Sequence, residues 1–129
     1  MNVVVEEWIK KAEGDFRTAN RECAAVPPNY DAVCYHAQQC IEKLFKAVLI
    51  HRSVTPPKTH DLVVLDALVK QTVAEWNWQV EDLRLLSRAA VAFRYPGETA
   101  DEDEAIASLR AAGPMRQRLL LLLGADTGA

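Results

Sequence analysis

An all-α, up-and-down bundle of four to five helices is the fold this sequence predicts, and three observations predict it. Apolar residues recur three and four positions apart in nearly every long segment, no stretch alternates apolar with polar over a useful length, and three of the four breaks between segments carry proline. The chain of 129 residues fits one domain, 1–129, and with half of its residues apolar it buries a self-supporting core. Its unbroken apolar runs, such as the five leucines Leu119 to Leu123 and the triplet Val3 to Val5, are far short of the roughly 20 residues a membrane span requires. No signal-peptide pattern opens the sequence, so a soluble, cytoplasmic protein with no membrane partner is expected.

The first helix is expected over about residues 3–24, because Val5, Trp8, Ile9, Ala12, Phe16, Ala19 and Cys23 fall on one stripe with Glu6, Lys10, Glu13 and Arg17 opposite. Pro27 and Pro28 end it, and Asn29 or Asp31 supplies a side-chain oxygen to cap the second. That second helix, about 30–51, carries an apolar stripe wide enough to pack on two neighbours and is the expected centre of the core. Ser53 to Thr59, with two prolines and no periodicity, reads as a loop. A third helix starts at His60 or Asp61 and runs through Leu62, Leu65, Leu68 and Val69.

A turn around Trp76 and Trp78, whose indoles look exposed, leads to a fourth helix from about Val80 to Phe93 that stops at Arg94-Tyr95-Pro96-Gly97. The acids Asp101 to Glu104 complement the positive end of a fifth helix. Gly113-Pro114 falls in the middle of that helix, where a proline costs about 3 kcal/mol and one hydrogen bond, so a kink or break is expected.

Fifteen basic against eighteen acidic residues give a net charge of -3, which excludes attraction of nucleic acid by bulk charge; any such binding must be local. The sequence has no phosphate-cradling glycine loop, no Ser-His-Asp constellation and no metal signature, so neither a cofactor nor a metal is expected. Cys23, Cys34 and Cys40 lack Cys-x-x-Cys spacing and read as small apolar residues. His36, Gln38 and Gln39 are three polar side chains on the most apolar helix, either hydrogen-bonded at a helix contact or subunit seam, or in contact with a ligand.

The central third is locally basic. Lys43, Lys46, Arg52, Lys58 and Lys70 stand there against three acids, a face able to follow a phosphate backbone or simply to be solvated. Arg94 is a five-donor cation at a helix end whose exit is fixed by Tyr95-Pro96-Gly97; it suits a phosphate, the last carbonyls of its own helix, or a carboxylate such as Glu98.

Trp8 and Asp15-Phe16, the run Tyr35-His36-Ala37-Gln38-Gln39-Cys40-Ile41-Glu42-Lys43-Leu44-Phe45-Lys46-Ala47, Thr59-His60-Asp61-Leu62 and Arg94-Tyr95-Pro96, in that order, resemble the HEPN domain family over about residues 5–123. The resemblance implies a prokaryotic helical bundle that forms homodimers. It also implies nucleotide or RNA binding, with a minimal nucleotidyltransferase as partner in a toxin–antitoxin-like pair.

The ribonuclease branch of that family carries an arginine followed after four to six residues by a histidine, and this sequence lacks that motif. Enzymatic activity is therefore left open, and His60 with Arg94 is the one pair to nominate for metal-independent cleavage. The leading expectation is a binding module using Arg94, Tyr95, His60, Lys43, Lys46 and Lys58. A ribonuclease toxin and a purely structural docking bundle are the alternatives. The two-sided stripe of the second helix and the two indoles add a physical motive for a homodimer.

Overall fold

The structure is a computed structural model that describes residues 2–92 and 95–125. Five helices account for it: α1 (Val3–Ala24), α2 (Tyr30–His51), α3 (Leu62–Thr72), α4 (Val80–Ala92) and α5 (Glu102–Leu122), with no strand among the described residues. Phe93 and Arg94, the expected last turn of α4 and its exit, lie outside the described residues, as does the C-terminal segment 126–129.

Helix starts follow their caps. Asn2, Asn29 and Asp61 each accept a backbone N–H of the first turn from a side-chain oxygen, for α1, α2 and α3 respectively. At α5, Asp101 and Glu104 form a reciprocal capping box, the Asp101 carboxylate accepting from the Glu104 N–H and the Glu104 carboxylate from the Asp101 N–H. The C-terminus of α2 closes with Val54 N–H to the Leu49 carbonyl at 2.8 Å and Ser53 N–H to the Ile50 carbonyl at 3.0 Å, which places Ser53 at φ 63°. That left-handed residue ends the helix abruptly and starts the loop that returns His60 to the side of α2.

Helix α2 packs against each of the other four helices. Ile41, Leu44, Phe45, Val48 and Leu49 are buried with Leu62, Leu65 and Val69 of α3, Leu83 and Leu86 of α4, and Met115, Leu119 and Leu120 of α5. A smaller cluster of Ala19, Val33, Cys34, Ala89, Ala100 and Ala105 closes the other end, where small side chains let the helices approach closely. Burial raises the Cys34 and Cys40 thiols above their ordinary value, so both behave as apolar residues.

One expectation needs correction. Trp76 is not exposed: only 2 % of it is accessible, with its ring edge-on to Phe45 at 5.8 Å, stacked on the half-buried Trp78 at 5.5 Å, and its N–H donated to Asp66 at 2.6 Å. The indole pair completes the core and supplies no free apolar surface. At Pro114, where a kink or a break is expected, the helix does not break: α5 is one element through that residue. Pro114 and Arg110 both face solvent, so water can satisfy the Arg110 carbonyl left without a donor.

Candidate functional site: a groove between α2 and α4

Gln38, Glu42 and Lys46 follow one another at four-residue spacing and so line up on one side of α2. Glu42 is their hub. Its carboxylate is buried and accepts from Lys46 Nζ at 3.2 Å, from Gln38 Nε2 at 3.2 Å and from Gln39 Nε2 at 3.4 Å. His60 Nδ1 approaches both Glu42 oxygens, at 3.0 and 3.1 Å. Gln38 Nε2 also donates to the His60 carbonyl at 3.1 Å, so the backbone and the ring of His60 are both tied to α2.

The imidazole itself remains 81 % exposed although the carboxylate holding it is 5 % exposed. One ring nitrogen is anchored below the surface and the other is left to face outward.

A second carboxylate repeats the arrangement across the α1–α2 contact. Asp15 on α1 holds His36 Nδ1 at 2.8 Å with one oxygen and Lys43 Nζ with the other. The His36 ring is 30 % exposed and meets the Tyr35 ring edge-on at 5.2 Å. Arg116 of α5 adds a bidentate pair with Glu13 of α1 and lies over the Phe16 ring, stitching the same side of the bundle.

Along α2 and α4 the surface is concave. A cavity of about 490 Å³ lies beside His60, Ser87, Arg88 and Val91. It shares His60, Ser87 and Val91 with one of about 210 Å³ under Tyr35, Gln38 and Gln39, which in turn shares Tyr35 and Ala90 with a third of about 310 Å³ reaching His36 and Asn29. The three form one groove. Its donors are His60 and the exposed Arg88, and Tyr35, 39 % exposed, is its aromatic surface. Of the acids beside it, Asp61 caps α3 through Val63 N–H and Asp31 accepts the Ala100 N–H at 2.7 Å.

The residues expected from sequence divide. His60 stands on this groove, and Gln38 and the partly buried Gln39 and His36 are hydrogen-bonded at helix contacts while bordering it. Lys43 and Lys46 do not form an open cationic strip, because each ammonium is bonded to an internal carboxylate. Lys58 and Tyr95 are exposed. Arg94 lies outside the described residues, two positions beyond the end of α4.

Sequence reasoning missed Arg88, Tyr35 as a groove aromatic, and the carboxylates Asp15 and Glu42. The last two had a signal: each is an acid within the apolar pattern of its helix. Among the described residues no group of three or more metal-ligating side chains comes together, and no helix is long and apolar enough to cross a membrane.

Four helices around a central α2, with a histidine presented on a groove by a buried acid, define an all-α bundle domain. The chain belongs to the HEPN domain family, whose model matches residues 5–120. Its fold is similar to that in the crystal structure of an archaeal HEPN homologue, with a TM-score of 0.60 at 21% sequence identity over 93% of this chain and 95% of that one. Comparison with curated proteins finds no match.

Proposed function

We propose that this HEPN-domain protein is a nucleotide- or RNA-binding module and that the α2–α4 groove is where it binds. The observation that carries the reading is His60, anchored at Nδ1 by buried Glu42 and projecting beside Arg88 into a cavity of about 490 Å³. An imidazole and a guanidinium together suit a phosphate, and Tyr35 further along offers a face on which a base stacks, the pairing of cation and aromatic that single-stranded nucleic acid requires. Arg94, which follows α4 by two positions in sequence, and Lys58 and Tyr95 complete the set of residues assigned to recognition.

By family resemblance the module works as a homodimer and as one half of a pair with a minimal nucleotidyltransferase, in the manner of a toxin and its antitoxin. The exposed Val91 on the groove wall provides apolar surface suited to a second copy.

A second reading, metal-independent ribonuclease, is favoured by one observation: the Glu42–His60 pair has the geometry of an oriented general base. One experiment separates the readings. Fluorescent single-stranded RNA is titrated at two salt concentrations, its integrity is followed in the presence of a chelator, and the mass of the protein is measured by light scattering. Binding that weakens with salt, leaves the RNA intact and falls at least tenfold in His60→Ala and Arg88→Ala supports the module. Cleavage lost in His60→Ala moves the assignment to the ribonuclease. Neither binding nor cleavage leaves the docking bundle.

A further inference from the structure

The Glu42 network is more elaborate than a helix contact requires. A buried acid with a lysine at i+4 is already charge-balanced, yet two glutamines and a histidine from another segment converge on it as well. What His60 gains from this is a defined ring. A nitrogen within hydrogen-bonding distance of both oxygens of a carboxylate must carry its proton, whatever the charge of the imidazole, so the proton of neutral His60 sits on Nδ1 and the lone pair on Nε2. Because the ring is 81 % exposed, Nε2 is the nitrogen left to the groove.

We propose that Glu42 is a positioning residue that fixes the Nδ1-protonated form of His60 and thereby makes anion recognition in the groove proton-linked. This rests on the reading of the groove as a phosphate site and adds its regulation. At higher pH Nε2 presents a lone pair, which repels an oxyanion and accepts from a hydroxyl or amine. At lower pH it carries a proton and donates to the oxyanion, in concert with Arg88.

Among the described residues, each element beside His60 contributes groups that face it. Glu42 lies beneath it on α2 with Lys46 behind, Asp61 caps α3 beside it, and Arg88 and Ser87 of α4 share its larger cavity while Tyr35 shares the smaller one. Histidine is the member of this set whose ordinary titration falls near neutral pH.

The test uses the full chain and two readouts. Long-range proton–nitrogen correlation spectra of the free protein report the tautomer of each histidine, with the exposed His51 as an internal reference. His60 is expected in the Nδ1–H form, and that preference is expected to collapse in Glu42→Met/Lys46→Met, which removes both charges together and strands neither. Sulfate, whose charge does not change near neutral pH, is the anion probe. Its affinity is expected to fall by up to about tenfold per pH unit as His60 loses its proton. His60→Gln should bind sulfate weakly with no such slope, and Arg88→Gln should bind more weakly with the slope kept.

An Nε2–H tautomer in the wild type overturns the proposal without recourse to any variant. Sulfate that binds with a flat pH profile overturns the proton linkage and leaves the anion site standing. No sulfate binding at all strikes the anion site itself, and the proton linkage falls with it. The tautomer of the free protein then still decides the role of Glu42.

Discussion

Asp15 and Glu42 each hold one histidine by Nδ1 and one lysine by its ammonium, yet the rings they hold end up in different surroundings. His36 and Lys43 come from α2 to meet an acid on α1, so the first network joins two helices and its ring is only 30 % exposed. Glu42 and Lys46 lie on the same helix, and the histidine arrives from the loop before α3, so the second network joins a loop to the core and its ring is 81 % exposed. The same three side-chain types therefore serve as a clamp in one place and as a mount in the other. What decides between them is whether the histidine sits inside a helix–helix contact or is carried to the acid by a loop.

That contrast makes stability and binding separable, and the largest effect expected is at Glu42. Glu42→Ala strands the largely buried Lys46 ammonium and removes an acceptor from two glutamines, and breaking a buried pair from one side costs about 3 kcal/mol or more. For a domain of this size that corresponds to a fall in Tm of roughly 10 °C, readable by circular dichroism. Asp15→Ala should lose less, about 2 kcal/mol, because Lys43 is nearer to solvent and regains water when its partner is removed. An Asp15 variant less stable than the Glu42 variant would invert the ranking drawn here.

Substituting the histidines sharpens the comparison. His36→Ala removes a half-buried ring and its bond to Asp15 and should cost about 1 kcal/mol. His60→Ala, whose ring is mostly in water already, should leave the urea midpoint nearly unchanged while it abolishes the groove's anion binding. If both variants lost stability equally, the exposed ring would be structural and the idea of a mount would fail.

How much of this was legible in the sequence depends on how local the cause is. α1 and α2 were readable to the residue because their limits are set by nearby prolines and asparagines, and Asp101 to Glu104 marked the start of α5 by their charge alone. The Trp76–Trp78 turn was misread because its burial comes from residues distant in sequence: Phe45 provides one wall and Asp66 the hydrogen bond. The continuity of α5 through Pro114 depended on which way that residue faces, which no local pattern fixes.

For the site, His60 was legible as chemistry but its partner was not. The spacing of Gln38, Glu42 and Lys46 marks a polar line through an apolar helix, whereas the return of the loop that delivers His60 to it follows from the left-handed turn at Ser53. Arg88 gave no signal of its own, since one arginine on an amphipathic helix looks like any other.

A third acid supplies the smallest and most specific test. Asp66 is half-buried where the other two are buried, and among the described residues it has no cation bonded to it, only the Trp76 N–H and the charge of Lys70, four residues on along its helix. Burial pushes its carboxyl above the ordinary value, more than the Trp76 hydrogen bond and the Lys70 charge pull it down. The folded state then binds this proton more tightly than the unfolded chain does. Its contribution to stability is fully present below the ordinary carboxylate value of about 3.9 and is lost as the pH climbs through the raised folded value.

Asp66→Asn keeps an oxygen for the indole and removes the titration, so the wild type should lose stability relative to this variant as the pH rises across and just above the carboxylate range, with a constant difference beyond it. Urea midpoints of the two proteins from acid to neutral pH measure this directly. A difference that instead moved in favour of the wild type as Asp66 ionised would mean that this acid has found a cation. The distinction drawn between carboxylates that organise histidine and lysine and one that merely tolerates burial would then have to be abandoned.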